Sequence, residues 1–256
     1  MPVESKSDEK QIKNRFLELA NRAYKQNMYT FTGFLGLTEQ SIFWGMEKEL
    51  AFAGFLLDGG KPDCDRKIIR FGNKEVLGYE EDFPIVCIRI MPLLKKFSDE
   101  FTHRDFLGAL MNLGIERSTI GDIFLSEKEG YVYCLNSIAD YIIENLDKVK
   151  HTHVKCERFE KFLRFDKDSG ETLEITVTSD RIDVVVAGIY HISRSESLSY
   201  FEKGIVYVNG RLCMSNAKSL KNGDVVNVRG RGKFLYNGIT HTTKKDKYRI
   251  CVEVYR

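Results

Sequence analysis

The chain has 256 residues, of which 43% are hydrophobic and 30% are charged. These values are ordinary for a globular protein, and the length predicts two or three compact domains rather than a disordered or fibrous chain. The longest apolar stretches, such as LAFAGFLL at residues 50–57, are far shorter than the roughly 20 residues of a membrane helix. The polar start MPVESKSDEK does not fit a signal peptide, so we expect a cytoplasmic protein.

The net charge of +2 hides an uneven distribution along the chain. Residues 181–256 contain 14 Lys or Arg and 6 Asp or Glu, a net charge of +8, whereas residues 1–180 carry 25 basic and 31 acidic groups, a net charge of −6. A basic end on an acidic body predicts a module that binds a polyanion.

The cysteines are scattered, and no two of them form a CxxC pair. Several lie in apolar strand-like runs such as PIVCIRI and YRICVEV, which favours buried reduced thiols over a disulfide framework. The six are Cys64, Cys87, Cys134, Cys156, Cys213 and Cys251.

The first 80 residues predict an N-terminal α/β domain. Residues 8–28 have apolar side chains at helical spacing, which predicts an amphipathic helix. Thr38 is expected to cap a short second helix, and strands are expected at residues 49–60 and 66–72. The apolar face of the first helix is predicted to contain Ile12, Phe16, Leu19 and Tyr24.

Residues 84–149 predict the order β-α-β-β-α, which fits a small domain of the ferredoxin or RNA-recognition type. The elements are a strand at 84–92, a helix from Thr102 to Gly114, a hairpin of 123–125 with 131–135, and a helix at 137–149. A further strand is expected at 173–178, after a linker. The fold class is therefore α+β, with domains at 1–80, 81–178 and 179–256.

The basic C-terminal domain predicts two short helices followed by a β-hairpin. The first helix begins at Arg181, and the second begins at Ser193 with the capping-box sequence Ser193-Arg194-Ser195-Glu196 and ends at Gly204. Alternating strand residues surround Asn209-Gly210, the preferred pair for a type I′ turn. A second turn is predicted at 221–224.

The order RxD, SRSE, KGxVxVNGR and LKxGDVV in this domain resembles the S4 RNA-binding domain, over about 50 residues with every spacing intact. This resemblance implies RNA recognition mostly through backbone and shape. A helix N-terminus offers free N–H groups to a phosphate, and Arg194 adds a bidentate donor there. The glycine-separated cations of RGRGKF can approach an RNA backbone closely.

The expected RNA-binding residues follow from this resemblance and from the basic turn. We expect Asp183 to cap or to pair locally rather than to contact RNA. Ser197 and Tyr200, where the S4 family prefers alanine and leucine, are expected to pack. The RNA-binding set is Arg181, Ser193, Arg194, Ser195, Lys203, Asn209, Arg211, Lys221, Arg229, Arg231 and Lys233.

Three segments together resemble the bacterial YlmH family over nearly the whole chain: FTGFLGLTEQSIFWGM, THRDFLGALMNLGIERSTIGDI, and the S4-like domain followed by RGRGKF. The resemblance implies a non-enzymatic, monomeric protein that binds rRNA and tRNA on the large ribosomal subunit. It further implies a link to peptidyl-tRNA, to ribosome-associated quality control with its protein factors, and to cell-division genes.

Other motifs are incomplete. His103-Arg104-Asp105 imitates a kinase triplet without its phosphate loop, and loosely a pseudouridine synthase motif without its leucine. His151, His153 and Cys156 lack a second cluster for zinc. LDGGKPD does not follow a nucleotide-binding pattern, so no cofactor is expected. The alternative function is an S4-targeted RNA-modifying enzyme, resembling a pseudouridine synthase or a methyltransferase, that acts on rRNA or tRNA.

Overall fold

The computed structural model describes residues 6–62, 64–160, 170–243 and 245–255. The chain divides into two compact units, Met1–Leu163 and Arg164–Arg256. This division lies earlier than the predicted boundary near residue 180. The difference arises because the strand expected at 173–178 pairs with the last strand of the chain and so belongs to the C-terminal unit.

The first unit begins with a long helix that packs on a three-stranded antiparallel sheet of order β1-β3-β2. The helix buries Phe16, Leu19, Ala20 and Ala23, whereas Tyr24 is 61% exposed and was wrongly placed on the buried face. The elements are α1 (Lys6–Gln26), β1 (Thr30–Phe31), α2 (Leu37–Gly45), α3 (Glu47–Leu50), β2 (Phe55–Asp58), β3 (Ile68–Phe71) and α4 (Lys74–Leu77).

Two local predictions in this part were wrong. Helix α2 begins one residue after Gly36, which is its N-cap, so Thr38 lies inside the helix. The strand expected from residue 49 begins only at Phe55, because α3 and a 3-10 turn precede it. Gly54, with φ +66°, ends that turn in a conformation that favours glycine.

The rest of the first unit is a five-stranded antiparallel sheet of order β5-β6-β4-β8-β7. The predicted order β-α-β-β-α is present, and two more strands follow it. The first, at residues 148–149, replaces the end of the predicted last helix, and the second, at residues 152–159, replaces the expected linker. The last helix ends at Asn145, four residues earlier than predicted. The elements are β4 (Ile85–Pro92), α5 (His103–Asn112), β5 (Ile120–Ser126), β6 (Glu129–Leu135), α6 (Asn136–Asn145), β7 (Lys148–Val149) and β8 (Thr152–Phe159).

Helices α5 and α6 cover one face of this sheet, and the N-terminal region covers part of the other. Tyr133 on the second face packs with Phe34, Cys64 and Ile68 in one buried cluster. Gly60, at φ +96°, lies so close to the Tyr133 ring that a Cβ there would be 2.4 Å from it. The two sheets of the first unit therefore share a core.

A half-buried arginine joins the same two sheets through polar contacts. Arg66 donates from Nε to the Ile120 carbonyl at 3.0 Å and from Nη2 to the Phe34 carbonyl at 2.6 Å. Its backbone N–H donates to Asp122 at 3.2 Å. Burial lowers the pKa of Arg66 from its usual value, and the carboxylates of Glu39 and Asp122 act in the opposite direction. Arg66 thus links backbone carbonyl groups of the two sheet regions, and the Ile120 carbonyl also accepts from Arg117.

The C-terminal unit packs two helices against a six-stranded antiparallel sheet of order β11-β10-β12-β13-β14-β9. The expected extension of the sheet by the last strand is confirmed, and β9 pairs beyond it. Asn209 and Gly210 have φ values of 51° and 76°, as the predicted type I′ turn requires. The elements are β9 (Glu171–Val177), α7 (Ile182–Tyr190), α8 (Arg194–Glu202), β10 (Val206–Val208), β11 (Arg211–Leu212), β12 (Val225–Val228), β13 (Gly232–Thr242) and β14 (Tyr248–Tyr255).

All six cysteines carry free thiols. Cys64, Cys134 and Cys213 are buried as expected, and the other three are half-buried. Burial raises the pKa of Cys87 and Cys134 to about 12, so these thiols are poor nucleophiles at neutral pH.

None of the helices in the described ranges has the length and apolarity needed to cross a membrane.

The predicted helix start at Thr102 is confirmed by a capping box with Asp105. Hydrogen bonds from Thr102 and from Lys150 hold the pKa of Asp105 at about 2, below its usual 3.8. Asp105 thus contributes stability that is complete above about pH 4 and is lost as the pH falls towards 2. We expect Asp105→Ala to lower the free energy of unfolding at pH 7 but to match the wild type near pH 2. Chemical denaturation at both pH values measures this, and a constant difference would contradict the assignment.

Candidate nucleic-acid interface

Helix α8 begins with the serine that the sequence predicted. The Ser193 hydroxyl accepts a hydrogen bond from the Glu196 N–H at 3.1 Å. The second half of the predicted capping box was wrong, because the Glu196 carboxylate instead accepts from the Tyr200 hydroxyl at 2.9 Å and from Arg231 at 3.2 Å. Ser195 is exposed, and its hydroxyl lies 2.9 Å from that of Ser193. The start of α8 therefore presents two hydroxyls and N–H groups to solvent.

Removal of this cap gives a direct measure of its contribution. We expect Ser193→Ala to destabilise the C-terminal unit by about 1 kcal/mol, because the Glu196 N–H loses its acceptor. Ser193→Asp supplies another acceptor at the positive end of the helix and should stay close to the wild type. Thermal unfolding of both variants tests this, and equal losses would show that the hydroxyl does not act as a cap.

A fully buried carboxylate lies beneath the cations of this surface. Asp183 accepts from Arg181 through two bonds, 3.0 Å from Nε and 3.1 Å from Nη2, and from Arg194 Nε at 3.2 Å. The predicted local pairing of Asp183 is confirmed. We call Arg181, Asp183 and Arg194 the Asp183 cluster. The two arginine side chains are 35% and 61% exposed, so N–H groups not used by Asp183 remain accessible to solvent.

The same corner is fixed by a bond between the two helices. Ser197 is fully buried and donates from its hydroxyl to the Asp183 carbonyl at 2.7 Å. Its expected packing role is confirmed, with a hydrogen bond in addition. Tyr200 is also buried in the core, as expected.

The basic turn after β12 lies against α8. Arg231 pairs with Glu196 at 3.2 Å, and its guanidinium lies 5.7 Å from the centre of the Tyr200 ring. This contact combines an ion pair with a cation–π interaction. The glycine-separated segment RGRGKF begins with a tight hairpin turn, since the Arg231 N–H donates to the Val228 carbonyl at 2.8 Å.

A second group of cations lies at the other end of α8. Lys203 is the C-cap of α8, and the Arg229 N–H donates to the carbonyl of Ile205, two residues further on. Both side chains are exposed and form no ion pair within the described ranges. The structure thus places cations at both ends of one helix.

The remaining predicted residues lie at the turns and on the strands. Asn209 uses its amide within the protein, donating to Asp224 at 2.8 Å and accepting from the Val225 N–H at 2.9 Å. Asp224 also accepts from the backbone N–H of Lys221 at 2.9 Å, and the Lys221 side chain is exposed. Arg211 is exposed on β11, and Lys233 lies 5.8 Å from the Tyr255 ring centre. Asn209 therefore acts on the shape of the two turns.

Three comparisons with known proteins give matches to this chain. The family model described as "Putative RNA-binding domain in YlmH" matches residues 79–161, which contain the five-stranded sheet with α5 and α6. The ribosome-associated protein quality control protein P2 of Bacillus subtilis is 28% identical over 252 residues, which are 97% of this chain and 96% of that protein. The resemblance to the YlmH family is confirmed. A solved structure titled as the cell division protein YlmH of Streptococcus pneumoniae covers 62% of this chain and 95% of its own, with 18% identity and a TM-score of 0.49.

The YlmH match identifies a region to which sequence reasoning assigned no RNA contact. Because residues 1–180 are acidic overall, the charge distribution predicted RNA binding only for the C-terminal domain. The available signal was the β-α-β-β-α order itself, with Tyr131 and Tyr133 alternating along its third strand, as in domains that stack bases on a sheet.

Proposed function

We propose that this chain is a non-catalytic RNA-binding protein that acts on the large ribosomal subunit, with rRNA and peptidyl-tRNA as its partners. The observation that carries the proposal is the surface of α8. There Arg181 and Arg194 are fixed over a buried carboxylate, and Lys203 and Arg229 are exposed at the far end without an ion pair in the described part of the chain. Guanidinium groups held in this way can bind phosphates with little loss of side-chain freedom.

Ribosome-associated quality control is the process we assign to it. The support is the similarity, over nearly its whole length, to a relative that is named for that process. We infer a cytoplasmic monomer from this role and from the family resemblance.

The domain roles follow the element order. Residues 179–256 act as the S4 module, since α7 and α8 precede the hairpin of β10 and β11 as in the predicted pattern. The RRM-like assignment of the middle domain is supported by the strand order β5-β6-β4-β8 with both helices on one face.

Asp105, one candidate residue for the enzyme alternative, caps α5 and pairs with Lys150 at 2.9 Å. A hydrogen-bonded and ion-paired carboxylate with a pKa near 2 is a poor general base at neutral pH. We therefore make no proposal of catalysis.

The test is pelleting of the full chain with purified large and small ribosomal subunits. We expect at least about tenfold tighter binding to the large subunit, and a steep loss of affinity with salt because the contacts are to phosphates. Equal binding to both subunits would reject the large-subunit assignment, and no binding to either subunit would reject the ribosomal role.

A further inference from the structure

In the matched domain, residues 79–161, the tyrosines of β6 are buried and are not available to stack on RNA bases. Tyr131 packs edge-on against Phe159, with ring centres 5.2 Å apart, and donates its hydroxyl to Glu129 at 3.0 Å. Tyr133 is covered by Gly60 and packs against Phe124. Rings that are buried in the protein cannot stack on RNA, so this domain requires another surface for it.

Two cations beside these tyrosines are also engaged by protein. Glu129 is almost fully buried, and its carboxylate lies 2.7 Å from both Arg89 and Lys95. Arg89 pairs with Glu157 as well, at 3.3 Å. Charges neutralised in this way attract a phosphate only weakly.

A cleft of about 490 Å³ lies on the helical side of the same domain. It runs between α5, which contributes Arg104, Gly108 and Asn112, and the corner from α6 to β8, which contributes Asn145, Lys148 and Lys150. A Cβ on Gly108 would meet no atom within 4 Å, so the helix backbone is open to the cleft. The exposed Asn112 adds an amide donor for a phosphate or a ribose hydroxyl, whereas the Asn145 amide already donates to the Tyr141 carbonyl at 2.8 Å.

Two of the three cations are available to a ligand. Within the ranges that the structure describes, Arg104 and Lys148 are exposed and form no ion pair. Lys150 pairs with Asp105 at 2.9 Å, so the negative charge of Asp105 is balanced within the protein. The other carboxylate of the cleft, Asp147, is exposed, and the three cations outnumber the two acids.

We propose that this cleft binds the sugar–phosphate backbone of RNA, with Arg104 and Lys148 as its phosphate contacts. The inference rests on the proposed function and extends it to a second RNA contact, on the matched domain, in addition to that of the C-terminal unit. Two RNA-binding surfaces on one chain increase its overall affinity for an RNA that contacts both, without any change in the contacts at α8.

The test compares the salt dependence of binding of full-length variants to purified bacterial ribosomes. Arg104→Glu/Lys148→Glu should reduce the slope of log K against log salt by about 1.4 to 1.8, because two phosphate contacts are lost. The matched control Lys25→Glu/Lys48→Glu makes the same charge change at exposed cations on α1 and α3 and should keep the wild-type slope. Gly108→Met fills the cleft without a charge change and should also weaken binding.

Three other outcomes distinguish the cleft proposal from the proposed function. If the cleft variants bind like the wild type while Lys203→Glu/Arg229→Glu binds less, the cleft proposal fails and the proposed function stands. If the wild type itself does not bind ribosomes, the proposed function fails, and the cleft proposal fails with it. If inorganic phosphate shifts the Gly108 amide resonance but the cleft variants keep the wild-type slope, the cleft is a site for a free anion and the RNA proposal is overturned.

Discussion

Replacement of Arg181 and Arg194 together by methionine is expected to destabilise the C-terminal unit by about 3 kcal/mol, because the buried Asp183 carboxylate then loses both cations. The cost is large because the surviving charge has no exposure to water. Hydrogen exchange of peptides from the C-terminal unit, measured in the full chain, gives the loss directly. Exchange in the first unit should stay unchanged.

The matched control removes the whole Asp183 cluster. Arg181→Met/Arg194→Met/Asp183→Leu should recover most of the lost stability, since a buried ion cluster can be replaced by apolar groups of similar volume. If the triple variant is as unstable as the double, the arginines stabilise the unit through their aliphatic packing and not through Asp183.

Charge reversal of Lys203 and Arg229 is expected to weaken ribosome binding by at least about tenfold and to lower the salt slope by about 1.4 to 1.8. These cations suit the test because they form no ion pair within the described ranges, so the variant should fold normally. Arg181 and Arg194 do not suit it, since a glutamate beside buried Asp183 would disturb the fold. Fluorescence anisotropy over a salt series measures both quantities.

The control for this variant is Lys245→Glu/Lys247→Glu, in the turn between β13 and β14 of the same unit. It changes the net charge equally at exposed residues outside the predicted interface. An equal loss in both variants would mean that the unit binds through its overall charge, and the assignment to α8 would then be wrong.

Local chemistry made much of the fold predictable. Asn209-Gly210 specifies its turn by backbone conformation, and Thr102 and Ser193 specify helix starts by their hydroxyls. Alternating apolar residues identified β4 and β14. In each case the determining atoms lie within a few residues of one another.

Long-range pairing was not predictable in the same way. Residues 152–159 look like a polar linker, yet they form β8 because β4 offers an unpaired edge. β9 joins the sheet of the C-terminal unit through its partner β14, more than 70 residues later. Tyr24 lies one position from buried Ala23, and Thr38 lies two positions after the true N-cap, Gly36, both within the usual uncertainty of helix faces and ends.

The candidate site was predictable as residue types but not as geometry. The motif named Arg181 and Arg194, whereas their shared contact with Asp183 depends on how α7 crosses α8. The contact between Arg231 and Glu196 joins residues 35 positions apart, and no spacing rule predicts it. The closure of the second sheet by Gly60 likewise depends on tertiary packing.

The most direct test of the central claim is ultraviolet cross-linking of the full chain to bacterial ribosomes, followed by identification of the cross-linked peptides and RNA. The α8 surface predicts cross-links to rRNA or tRNA from peptides that contain residues 193–203 and 229–233. Cross-links confined to other parts of the chain, or to ribosomal proteins alone, would contradict an RNA interface on the C-terminal unit.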